Sequence, residues 1–227
     1  MQKADGFVVS ELEGVYRAIR ERRDVRSGFL PERMNDELLL KLLQAAHYAP
    51  SVGLMQPWRF ILIRRIEIRR AVYEIFQRAN QAALSSYEPE RAEKYAKLKL
   101  EGILDAPQNL CVVCDPEATR GHRLGRRSMP ETAIYSTVCA VQNLWLAARA
   151  EGIGVGWVSI LDPAALREVL HIPEHIVPVA YLCLGYVDRF ASEPDLVRSG
   201  WESRIPVEEA INFEQFDSPW TPEGMRV

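Results

Sequence analysis

A single globular domain of interleaved helices and short strands is predicted by three observations. Of the 227 residues, 48% are apolar and 26% charged, enough to fill the core of one domain, or of one domain with extensions. Apolar residues recur with a 3.6-residue period in several stretches, as helices with one buried face require. Between these stand short apolar or β-branched runs bounded by Pro, Gly and charge, which read as strands.

In chain order, residues 14–22 read as a helix with Val15, Ala18 and Ile19 on one side. Pro31 breaks the pattern, and Asn35 then caps a second helix through Leu38, Leu39, Leu42, Leu43 and Ala46 that stops before Pro50. The loop 49–58 is enclosed by Pro50 and Pro57, carries Gly53 in its middle, and feeds a strand over 59–64. It presents Ser51 and Gln56 to a ligand, or is an ordinary helix-to-strand connection. Residues 67–84 and 88–104 read as polar helices whose charge suits an exposed lid or arm. A buried strand follows at 109–114. The loop 115–130 holds Arg120, Arg123, Arg126 and Arg127, a basic patch or a merely solvated one.

Residues 131–151 form the longest helix, apolar on more than one face, which places it at the centre of the core or at a subunit interface. Gly152, Gly154 and Gly156 then alternate along the chain, a pattern that lets backbone approach a flat ligand closely. Their spacing is not GxGxxG, so a dinucleotide-binding reading is rejected. Asp162-Pro163 starts a helix through Leu170, and 176–186 is an apolar strand. From Ala191 the chain is rich in Pro, Glu and Trp with little periodicity. A tail with aromatic anchors and no core of its own packs onto something else, here a second subunit. The expected division is therefore a domain over 1–190 and an extension over 191–227.

The net charge of −3 gives no general attraction to nucleic acid or to an anionic membrane. No apolar run approaches the ~18 residues of a membrane span, and residues 1–10 lack the regions of a signal peptide, so a cytoplasmic chain is expected. Cys111, Cys114, Cys139 and Cys183 all sit in apolar runs and read as core thiols; Cys111 and Cys114 have CxxC spacing, but no second pair completes a zinc site. The four histidines have no metal-ligand spacing.

Arg22-Arg23-Asp24-Val25-Arg26 is the stretch with the most chemistry. Three guanidinium forks within five residues suit a doubly charged phosphate, which they meet bidentately. Asp24 repels such a ligand unless its place on it is useful. The alternative is a helix end favouring cations, with Asp24 as a surface ion-pair partner.

That cluster, the Pro-Ser loop ending in Gln56-Pro57-Trp58, the long helix, Gly154-Val155-Gly156 and Ser203-Arg204-Ile205-Pro206 together resemble the flavin-binding nitroreductase superfamily, in order from about Tyr16 to Pro206. Arg22 to Arg26, Ala49 to Gly53, Arg127 to Thr132, Gln142 to Trp145 and Gly156 to Ser159 are similar, within it, to the 5,6-dimethylbenzimidazole synthases of the BluB type. The resemblance implies an α+β fold, a mixed sheet wrapped by helices, and an intertwined homodimer binding FMN at the subunit interface.

By it, Arg22, Arg23, Arg26 and Arg204 meet the ribityl phosphate, and Asp24 and Val25 between them are also cofactor-binding residues. Pro50, Ser51 and Gln56 reach the flavin from the partner subunit, and Val158, Ser159 and Leu161 lie along the ring. Leu54 replaces an Asn common in nitroreductases. Asp24 and Ser159 depart from the usual neutral residue and Pro, and are the implied catalytic pair: Asp24 as acid or base at the ribityl carbons, Ser159 at the ring's N5. The implied reaction consumes reduced FMN and O2, yields 5,6-dimethylbenzimidazole and erythrose 4-phosphate, and needs a separate flavin reductase. The alternatives are an NAD(P)H-dependent nitroreductase or flavin reductase, and a non-catalytic flavin-binding protein.

Overall fold

The run from Leu110 to Cys114 is apolar on both faces, and the strand that contains it, β2 (Gln108–Cys114), is buried at all seven positions. Such a strand needs cover on both sides of its sheet. A computed structural model describing residues 6–220 supplies it. Residues 1–5 and 221–227, the outer parts of the N-terminal segment and of the expected extension, lie outside the described residues.

Four strands, β1 (Trp58–Ile63), β2, β3 (Ile153–Val158) and β4 (Val177–Tyr186), form one sheet in the order β1-β2-β4-β3. All three ladders are antiparallel, and the parallel component is a single bridge from Asp24 to Val155. Side chains alternate across the sheet as the pleat requires. Leu110, Val112, Leu182 and Leu184 face a core shared with α2 (Asp36–His47) and α5 (Thr132–Ala150). Cys111, Val113, Tyr181 and Cys183 face a second core, built with α3 (Ile66–Ser86) and α6 (Pro163–Leu170). The class is thus α+β, with helices on both faces of the sheet. Cys111 and Cys114 fall in different clusters, as strand alternation predicts.

Local chemistry explains the helix starts. Asn35 accepts from the Leu38 N–H at 2.7 Å, and Asp162 from the Ala165 N–H at 2.7 Å. α1 (Val9–Glu21) begins five residues before the expected start, because its first-turn Glu11 carboxylate accepts from the Val8 N–H, a contact not signalled by any Ser, Thr, Asp or Asn cap. α4 (Pro89–Ala96) ends eight residues earlier than expected. The segment after it is buried rather than lid-like: Arg69 of α3 donates to the carbonyls of Ile103 (3.0 Å), Leu104 (2.7 Å) and Ala106, while Glu101 accepts from the Ile103 N–H. Val72, Ile75 and Phe76 likewise bury the first half of α3, so the charges read as a lid are the wet side of a core helix. Cys139 also differs from expectation: it lies on the outer face of α5 and is exposed.

The chain divides after Ser192 into two units. The second contains α7 (Asp195–Arg198) and a small hairpin in which Asn212 bridges Pro219. Its Ile205, Val207, Phe213 and Phe216 are exposed on it.

Candidate functional site

α1 ends at Glu21, and Arg22 leaves the helix with an extended ψ of 136°. The next residues run along β3: the Val25 N–H donates to the Val155 carbonyl at 2.9 Å, and Asp24 makes its parallel bridge to Val155. This approach requires glycine. A Cβ at Gly156 would lie 2.0 Å from the Val25 carbonyl oxygen, and one at Gly154 2.5 Å from Val187. Gly156 therefore admits the chain's own arginine segment and Gly154 mainly the Val187 side chain, where the spacing alone suggested a flat ligand.

The three guanidinium groups do not converge. Arg23 turns back to donate to the carbonyls of Arg20 (2.9 Å), Arg22 (2.8 Å) and Ser192, which makes it a staple for the helix exit. Arg22 lies over the Trp145 ring, 4.8 Å from its centroid. Arg26 is paired with Asp24 through Nη2 and Oδ2 at 2.5 Å. The other Asp24 oxygen, Oδ1, accepts from the backbone N–H of Trp157 at 2.9 Å. The carboxylate that looked anomalous among arginines is thus half-buried, charge-paired and fixed at both oxygens. Val25 is a core residue. Arg23 and Arg26 each keep a buried Nε with no partner among the described residues.

Trp157 leads within two residues to Ser159, which is exposed just beyond the end of β3. Val158, Ser159 and Leu161 line a cavity of about 240 Å³ together with Pro163, Leu166 and Tyr181. The fold therefore brings Asp24 and the Val158–Leu161 stretch to the same end of β3.

The Pro50–Gln56 loop lies elsewhere. Ser51 accepts from the Gln56 N–H at 3.2 Å, closing the loop on itself, and Pro50 is exposed. Leu54 and Gln56 take positive φ values of 53° and 45°. The Trp58 indole donates to Nδ1 of His47 at 3.1 Å, which in the neutral ring leaves the proton on Nε2. The Gln56 side-chain amide nitrogen sits 3.3 Å from that Nε2 and donates to the His47 carbonyl at 3.5 Å, so it is turned back onto α2. His47 escaped the sequence reading because a lone His on a helix carries no motif.

Both candidate regions hang from α5. Ser136 accepts from the Val52 N–H at 3.2 Å, and Trp145 donates to the Arg23 carbonyl at 3.0 Å. These anchors stand nine residues apart, about 14 Å along the helix axis. Sheet order agrees, since the loop precedes the β1 edge and Asp24 borders the β3 edge. Arg204 is an exposed residue of the second unit. Of the arginines in the 115–130 loop, Arg120 donates to the Leu54 carbonyl and Arg126 to that of Pro116. No group of three or more His, Cys, Asp or Glu able to hold a metal occurs among the described residues, and no helix among them is long and apolar enough to cross a membrane.

Comparison with known proteins agrees with the motifs. The Nitroreductase family model matches residues 19–186. The 5,6-dimethylbenzimidazole synthase of Rhodospirillum rubrum is 45% identical over 88% of this chain and 94% of that protein. The protein of the same name from Rhodobacter capsulatus is 41% identical over 89% and 97%. Oxidized iodotyrosine deiodinase, solved with FMN and 3-iodo-L-tyrosine, superposes with a TM-score of 0.67 at 21% identity, covering 79% of this chain and 92% of that one, a likeness of fold. With a matched family model over most of its length and relatives this similar, the chain belongs to the nitroreductase family.

Proposed function

We propose that this chain is a 5,6-dimethylbenzimidazole synthase, fragmenting reduced FMN with O2 to 5,6-dimethylbenzimidazole and erythrose 4-phosphate. The relatives carrying that name, aligned over nearly the whole chain, support the activity. The observation that carries it within the site is Asp24: a carboxylate held by Arg26 and by the N–H of Trp157, two residues before Ser159, a fixed proton-transfer group of the kind that cleavage at the ribityl carbons needs.

The residues suit the flavin. Arg23 and Arg26 each keep a buried Nε with no partner among the described residues, which suits donation to a phosphate, and Arg22 stands over the Trp145 ring beside them. Arg204 is a further candidate. When bound in its reduced form, the flavin supplies both the electrons for O2 and the carbon skeleton of the product. Asp24, held at one oxygen by Arg26 and at the other by the Trp157 N–H, moves a proton at the ribityl carbons as acid or base. Ser159 donates or accepts at the ring's reactive edge, and Val158 and Leu161 keep water from it.

A homodimer completes the site in this reading. The α5 residues that anchor the loop and the Arg23 carbonyl stand about 14 Å apart along the helix, and in this reading the loop's Pro50, Ser51 and Gln56 serve the partner's site. Leu12, Val15, Tyr16 and Ile19 of α1, with Tyr135 and Val138 of α5, expose an apolar surface for a second copy. Buried free thiols at Cys111, Cys114 and Cys183 suit a reducing cytoplasm, where a separate flavin reductase supplies the substrate.

The test is to mix the protein anaerobically with chemically reduced FMN, admit O2, and quantify 5,6-dimethylbenzimidazole by mass spectrometry. Asp24→Asn should lower product at least ~100-fold, as loss of an acid-base group does, while FMN still binds. Recovery of all flavin in the oxidised form with peroxide, from the parent protein, would return the function to a reductase or flavin carrier.

A further inference from the structure

Trp145 is buried in the core formed by α2, α5 and the sheet, and by burial alone it is packing. Its polar atom and its ring faces do more. The indole N–H of a buried Trp must find an acceptor, and many were within reach of a helix crossing the core. It donates to the carbonyl of Arg23 at 3.0 Å. That oxygen and the nitrogen of Asp24 belong to one planar peptide unit, so holding the oxygen fixes the plane from which the Asp24 side chain departs. One face of the same ring carries the Arg22 guanidinium at 4.8 Å. A further side meets the Trp157 ring, with centroids 6.2 Å apart at 47°, and the backbone N–H of Trp157 holds Oδ1 of Asp24. Two attachments of Asp24, through its own peptide and through Oδ1, therefore run back to one indole, while Oδ2 is held separately by Arg26.

We infer that Trp145 is a positioning residue for Asp24: its N–H sets the Arg23–Asp24 peptide, and its ring contacts both Arg22 and Trp157. One turn along α5, Arg149 donates to the carbonyl and carboxylate of Glu21, so the helix exit is held at two points on the same face. Trp145 touches neither substrate nor reacting atoms in this arrangement. The inference rests on the proposed role of Asp24 for its effect on product, and on geometry alone for its effect on the protein.

Trp145→Phe keeps an aromatic face under Arg22 while removing the N–H donor and part of the ring's volume. In the unliganded protein, the Trp157 amide should exchange with solvent about fivefold faster, the effect of one hydrogen bond, while amides of the β2–β4 ladder keep their protection. FMN should bind within about twofold of the parent, because Arg22 keeps its aromatic support. The ratio of 5,6-dimethylbenzimidazole to peroxide after O2 is admitted should fall about tenfold or more, since a reacting group displaced by a fraction of an ångström loses its advantage.

Val141→Ala, which trims the same core one turn earlier, is the control for general destabilisation: it should lower the melting temperature but leave both the Trp157 amide and the product ratio as in the parent. Unchanged Trp157 exchange in Trp145→Phe overturns the inference, as does a product ratio that falls equally in Val141→Ala. If the parent protein makes no 5,6-dimethylbenzimidazole, the reading of function fails, and the amide exchange still decides the positioning role by itself.

Discussion

Replacing Gly156 by Ala probes the contact on which the site depends. The added Cβ would stand 2.0 Å from the Val25 carbonyl oxygen, an atom of the main chain that no rotamer change can move aside. Ordinary carbon-oxygen contact needs more than 3 Å, so the Arg22–Arg26 segment must retreat from β3 by about 1 Å. That stretches the Val25 N–H bond to Val155 and the Trp157 N–H bond to the Asp24 carboxylate. One neutral and one charge-assisted hydrogen bond together contribute roughly 2–4 kcal/mol. For a chain of this size the melting temperature should fall by about 5–15 °C. Product formation should fall about 100-fold, because Asp24 moves with the segment.

The assay is a thermal melt paired with the 5,6-dimethylbenzimidazole yield. Gly152→Ala is the comparison, since its φ is +75° but nothing lies within 4 Å of the new Cβ. It should cost about 1 kcal/mol of backbone strain and spare activity. The close approach would be refuted as the role of Gly156 if its Ala variant melted within about a degree of the parent and made product at the parental rate.

Three further outcomes are expected. Arg69→Met removes the donor from three buried carbonyls and should destabilise the fold by roughly 3 kcal/mol, read as a lower urea midpoint with faster proteolysis near Ile103; an unchanged midpoint contradicts the anchoring role. Burial pushes the Cys111 thiol up from 9.0 to about 12, and raises Cys114 and Cys183 too, so native protein at pH 8 should resist alkylation at these three thiols until it is unfolded, as peptide mapping would show. Because these thiols ionise more readily when unfolded, they stabilise the fold fully below pH 9, and that contribution should be lost as pH rises toward about 12, a decline that alkaline denaturant titrations would detect.

The helices with a polar cap and a 3.6-residue period were legible in the sequence, as α2 and α6 show, because capping and amphipathicity are local. α1 was read five residues short, since the Glu11 contact with Val8 follows no cap signature. The lid reading failed at α3 for another reason: composition reports how charged a segment is, not that Val72, Ile75 and Phe76 dock one face of it while Arg69 finds three carbonyls beyond Ile103.

By itself the sequence determined the alternation of helices and strands, the family, and which residue types gather around Asp24, since ordered motifs are carried by chain position. Tertiary structure decided what those residues do. It assigned Arg23 to carbonyls, paired Asp24 with Arg26, turned Gly156 toward Val25, and drew Trp145 from more than a hundred residues away onto the Arg23 carbonyl. Hydrogen-bond partners are chosen by distance in the folded chain, and side-chain chemistry alone specifies only that a partner is required.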